Sequence, residues 1–103
     1  MAKIERDVAR MLLRAHLEDW GPTGSLPKLQ TPLFSDTIQG RLQDAGVEIE
    51  HGSVVIILRD LAKRDYISAV PDAGGEPDAL KVTKVFPVRL KRDFNLWDIV
   101  EEA

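Results

Sequence analysis

The chain has no cysteine among its 103 residues, so neither a disulfide framework nor a thiolate metal site is open to it. Aromatic residues are scarce at 6%, and no apolar run approaches the roughly 20 residues needed to cross a bilayer. The opening residues Lys3, Glu5, Arg6 and Asp7 are charged with no apolar run behind them, unlike a secretory signal. Positive charge is not in surplus either. Lys and Arg number 14 against 17 Asp and Glu, a formal net charge of −3. A nucleic-acid or membrane partner would therefore need a local basic patch. The two histidines, His16 and His51, have no paired ligand spacing, which argues against structural zinc. No nucleophile elbow can be assembled, and Gly74-Gly75 lacks the lysine and following Ser/Thr of a phosphate loop. The expectation is a cytoplasmic protein that is not an enzyme, with no catalytic residue, metal, cofactor or membrane partner.

What is present fits one small domain. Hydrophobic residues make up 44% and charged residues 30%, and a chain of this length buries about 60–65% of its unfolded surface. Ile4, Val8, Met11, Leu12 and Ala15 repeat at the spacing of one helical face, extended by Leu17 and Trp20, which predicts a helix over 3–20. Lys3, Arg6, Arg10 and Arg14 form a basic stripe beside that face, with Glu18 in reach of Arg14. Residues 21–32 are broken by Pro22, Pro27, Pro32, Gly21 and Gly24, so they read as a loop pinned by Leu26 and Leu29, with room for a short extended piece.

Thr31-Pro32 offers a cap and a first-turn proline, predicting a second helix to about Ala45. Phe34, Ile38, Leu42 and Ala45 would point inward, Gly46 would stop the helix, and Gly40 would mark close packing against another helix. Residues 47–50 alternate apolar and acidic, as a short strand or a turn. A third helix then opens near His51 or Ser53, with Val54, Ile57, Leu58 and Leu61 on one side. Residues 66–70 read as a strand and 71–78 as a turn. The return strand carries Leu80, Val82, Phe86, Val88 and Leu90, with a bulge or a strand end near 84–85 and Pro87 on an edge. Asp93 or Asn95 can cap a last short helix over 96–102.

Three stretches carry a likeness to a known superfamily. They are Thr37-Ile38-Gln39-Gly40-Arg41-Leu42-Gln43-Asp44-Ala45-Gly46, then Ser53-Val54 with Ile57-Leu58-Arg59-Asp60-Leu61, then Tyr66-Ile67 leading into a hairpin. The chain resembles the winged helix-turn-helix superfamily over about residues 4–90. The resemblance implies an α+β fold: a three-helix core with a β-hairpin wing and a short C-terminal helix. It divides the chain into a winged-helix domain over 1–92 and a short helical segment over 93–103. It also implies a transcriptional regulator that reads duplex DNA with residues 52–64 in the major groove and touches the backbone with its wing.

Carried onto this sequence, at about 100° per residue, Gly52, Ile56, Arg59 and Lys63 face away from the apolar side, with Val55 and Asp60 flanking. Gly52 and Ser53 would offer amides to a phosphate, Arg59 a fork for guanine, and Lys63, Lys81 and Lys84 contacts to the backbone. The basic run Lys81, Lys84, Arg89, Lys91 and Arg92 contains no acid, whereas the wing tip carries Asp72, Glu76 and Asp78, which repel phosphate. A homodimer would supply two reading helices, with Leu96, Trp97, Ile99 and Val100 as its interface. The alternative is a protein–protein or dimerisation module without DNA, docking through Val55 and Ile56. A third possibility is that 55 and 56 are covered by the wing, the terminal helix or the 21–32 loop.

Overall fold

A computed structural model describes residues 2–21, 26–75 and 78–97. Within these residues, four helices and one three-stranded antiparallel sheet form an α+β fold: α1 (Ala2–Trp20), β1 (Lys28–Phe34), α2 (Ser35–Asp44), α3 (His51–Lys63), β2 (Ile67–Pro71), β3 (Leu80–Val85) and α4 (Pro87–Asp93). The sheet order is β1-β3-β2, so the last strand lies in the middle. Val8, Leu12 and Leu13 of α1, Ile38 of α2, Leu58 and Leu61 of α3, Val82 of β3 and Leu90 of α4 share one core.

The long helices form where apolar residues recur at helical spacing, and their ends follow a common rule. α2 stops at Gly46, whose φ of 86° suits a residue without Cβ. The Val47 amide bonds back to the Leu42 carbonyl and the Gly46 amide to that of Gln43, a Schellman closure. α3 closes the same way on a non-glycine residue: Asp65 takes φ 63° while the Tyr66 amide reaches the Leu61 carbonyl. α4 repeats the pattern at Asn95, with Leu96 bonded back to Lys91. Asn95 thus ends one helix, where the sequence suggests it as the cap of the next. That next helix, over 96–102, lies largely outside the described residues.

Three elements depart from the sequence-based expectation. Residues 28–34 form a strand, and α2 starts at Ser35, not at Pro32. Leu29 and Leu33 are buried, and Pro32 is tolerated because β1 has a free edge where a missing amide breaks no ladder bond. The return strand ends at Val85, where the sequence allows a strand end as the alternative to a bulge, and does not continue to Leu90. Phe86 is the N-cap and Pro87 the first residue of α4, where proline's fixed φ and absent donor suit a helix start. Phe34 and Ala45 face solvent, Leu26 is exposed, and a Cβ at Gly40 would meet open space, so close packing does not explain that glycine. His16 is fully buried, its Nε2 donating to the Leu26 carbonyl at 2.7 Å.

The sheet register fixes its two faces. Ile67 pairs with Val85, Ser68 with Lys84, Ala69 with Val82, Val70 with Lys81 and Pro71 with Leu80. Two steps along β3 match one along β2 at Thr83, so a bulge stands one residue before the expected 84–85. On the other side, Lys28 pairs with Lys84, Leu33 with Val82 and Phe34 with Lys81, and β1 bows out between Lys28 and Leu33.

Polar ties hold α1 to the ends of α3 and α4. Arg6 donates from Nε to the Phe94 carbonyl at 3.0 Å and from Nη2 to that of Asn95 at 3.1 Å. Arg64 bonds Glu5 at 2.6 Å and Asp60 at 2.9 Å, and its guanidinium lies over the Tyr66 and Phe94 rings.

Candidate nucleic-acid interface

α3 is the element that could enter a groove. Its inward side (Val54, Ile57, Leu58, Leu61) is buried against α1, α2 and β2. Gly52, Ile56, Arg59, Asp60 and Lys63 are exposed along the opposite side, and Ile56 has 67% of its surface open. Val55 does not join them. It is 3% exposed, because packing by helices on one side and β2 on the other widens the buried face of α3 to include this flank.

The outward face of α3 borders an open groove of about 580 Å³, lined by Ile56, Arg59, Lys63, Ala69 and Leu80 among others. Arg59 Nη2 stands 4.0 Å from Asp78 Oδ1 at the end of the β2–β3 turn, both side chains well exposed, an ion pair that salt readily screens. At the turn itself, the Asp72 carboxylate accepts the Gly74 amide at 3.1 Å. Glu76 lies outside the described residues.

The start of α3 offers less to an anion than its sequence suggests. The Ser53 and Val54 amides already bond the Glu50 carbonyl at 3.1 Å. Ser53 is half-buried beside a cavity of about 730 Å³ that Glu48 and Glu50 also line, and their carboxylates repel phosphate. Neither His51 nor Ser53 is the cap: Glu50 is, without a side-chain bond. His51 is engaged elsewhere, its Nε2 2.8 Å from the hydroxyl of buried Ser35, which also accepts the Leu80 amide at 3.0 Å. One serine thus joins the start of α2, the start of α3 and the start of β3.

Comparison with known proteins finds no matching family model, no matching curated protein and no matching solved structure. The residues themselves therefore carry any functional reading. The structure brings Ile56, Arg59 and Lys63 together on one groove but leaves Lys81 and Lys84 apart from it. Lys81 pairs with Val70 and Phe34, and Lys84 with Ser68 and Lys28, on the sheet face turned away from Ile67, Val82 and Val85. Lys28 belongs to the same face, a placement the sequence does not signal because β1 is not recognisable there as a strand.

The expected interface residues also separate. Leu96 is fully buried in the domain's own core, held there by the closure of α4, so neither it nor Val55 can face a partner. Trp97 is half-exposed. Ile99 and Val100 lie outside the described residues. Near the tail, the Tyr66 hydroxyl donates to Asp93 at 2.6 Å, and this bond raises the phenol above its ordinary value of 10. The Asp93 carboxylate sits below its usual range, held there by Arg92 first and by Tyr66 second. Among the described residues no group of three metal-ligating side chains forms, and no helix is long and apolar enough to cross a membrane.

Proposed function

We propose that this protein is a winged helix that binds duplex DNA as a transcriptional regulator, with α3 as the reading element. The observation that carries this reading is the outward face of α3: Gly52, Ile56, Arg59 and Lys63 are exposed along one line, on a helix followed directly by the β2–β3 hairpin. The helix has 13 residues, and an α-helix about 10–12 Å across fits the roughly 12 Å width of a major groove. Arg59 can fork onto a guanine edge, Lys63 can take a phosphate, and Ile56 can meet a thymine methyl. Opposing acids at Asp60 and Asp78 limit the electrostatic gain, so affinity draws on few phosphates.

Replacing Arg59 and Lys63 together with alanine tests the reading by mobility shift on random duplex across a salt series. Retention should fall, and the slope of log K against log salt should flatten by about 0.9 for each phosphate that is no longer neutralised. Unchanged retention and slope would remove α3 as the reading element.

A second reading rests on Ile56 alone. An aliphatic side chain this exposed on a rigid helix also suits a protein partner, including a second copy of the chain. Ile56→Asp would then abolish association seen by light scattering while leaving the fold intact. Association equal to that of the parent protein rules this reading out.

A further inference from the structure

Among the described residues, the outer face of the sheet is basic without a paired carboxylate. In one row, Lys28 of β1 stands directly opposite Lys84 of β3, with Ser68 of β2 beyond. In the next row, Phe34, Lys81 and Val70 lie side by side. None of these positions is acidic, and among the described residues no carboxylate pairs with Lys28, Lys81 or Lys84. The Asp19 carboxylate bonds the Gln30 amide at the free edge of β1. Like charges directly opposite in an antiparallel pair repel, and no described residue on this face offsets the Lys28–Lys84 pair. Beside the lysines, Phe34 and Val70 are exposed at 37% and 42%, a large apolar area for so small a face.

We propose that this face binds single-stranded nucleic acid. Lys28, Lys84 and Lys81 contact the phosphodiester backbone, and the ring of Phe34 carries a stacked base with Val70 at the platform's edge. The uncompensated positive charge selects a polyanion. The choice of an unpaired strand comes from the shape of the surface and its aromatic. A sheet's broad face does not enter a duplex groove, which admits a helix or a two-stranded ribbon. An exposed phenyl ring among lysines matches a strand whose bases present open π-faces. The site is separate from α3 and does not depend on that helix reading DNA.

The test is fluorescence anisotropy of the full chain with labelled single-stranded oligothymidylate, and with a duplex of equal length, across a salt series. Lys28→Ala with Lys84→Ala should weaken oligothymidylate binding and reduce its salt slope by about 1.4, two phosphates at roughly 0.7 each. Phe34→Ala should weaken binding about tenfold with the salt slope unchanged, since a stacked base releases no counterions. Arg59→Ala with Lys63→Ala should leave oligothymidylate binding as it was. Phe34 precedes α2, so circular dichroism checks that variant's fold; if it unfolds, the lysine pair decides alone. Three results each overturn the proposal: no binding of oligothymidylate by the parent protein, unchanged binding in the lysine pair, or an equal weakening in the α3 variant. If changing α3 abolishes duplex binding while oligothymidylate is retained, both sites stand. If neither variant affects the duplex, only the reading of α3 fails.

Discussion

The outward face of α3 and the outer face of the sheet hold nearly the same number of cations but differ in what surrounds them. On α3, Arg59 has Asp78 across the groove, and Asp60 beside it is bonded by Arg64. On the sheet, no carboxylate among the described residues pairs with Lys28, Lys81 or Lys84. A net charge of −3 therefore conceals an uneven distribution. The helix face is mixed and can discriminate by shape and hydrogen bonding. The sheet face is uniform in sign, so its attraction for an anion carries little geometric selectivity. Local charge relative to neighbours, rather than the total, separates the two surfaces.

Both faces rest on one framework, so the largest effect should come from its junction. Ser35 is buried and holds the Leu80 amide at the start of β3 and the His51 ring at the start of α3. Ser35→Ala leaves that amide unpaired and should cost about 1–3 kcal/mol in urea unfolding. If the two faces were independent of this joint, the cost would instead stay within a few tenths of a kcal/mol.

A smaller change of opposite sign is expected at Gly40. Its Cβ position opens onto empty space within a helix, so Gly40→Ala should raise stability by about 0.5–1 kcal/mol. Binding by either face should not change, because α2 belongs to neither. A destabilised Gly40→Ala protein would mean the glycine has a role this structure does not contain.

The smallest effect lies in the pH response of the one tyrosine. The Tyr66 phenol is raised above 10 by its bond to Asp93. The folded value exceeds the unfolded one, so this contribution is complete below pH 10 and disappears as pH rises through the folded value. Phenolate absorbance should show a midpoint above 10 that moves down in Asp93→Ala. A midpoint unaffected by that substitution would detach the tail from Tyr66. Neither face should sense this titration below pH 10.

Much of the helical framework is legible in the sequence because α1 and α3 are long and strongly periodic, and Gly46 announces its own left-handed turn. The end of α3 is less so. Asp65 adopts the same backbone region without the residue that usually signals it. β1 is hidden because its buried pair, Leu29 and Leu33, is four apart, which fits a helix face as well as a strand face, and encloses a proline. α4 is disguised because Phe86, Val88 and Leu90 alternate like a strand, while Pro87 fits either an edge or a first helical turn. Tertiary packing makes the choice, burying Leu90 and leaving Val88 outside.

The candidate residues follow the same pattern. Ile56, Arg59 and Lys63 can be placed from helical angles alone. Val55 cannot, because whether a flank is covered depends on what packs there. Lys28 acquires a role only once β1 is paired with β3, since it lies 56 positions from Lys84 in sequence.

The extra residue at Thr83 has a consequence for how this domain could tolerate change. Leu80 and Val82 point inward at even positions, yet Val85, an odd one, does too. The bulge shifts the strand's alternation by one step, like a gear advanced by a single tooth. Excise that residue, and Val82 inward, Lys84 outward, Val85 inward becomes plain alternation, so Lys84 keeps its outward place and Val85 its inward one. A one-residue deletion at Thr83 would thus straighten the strand and leave the lysine face in place.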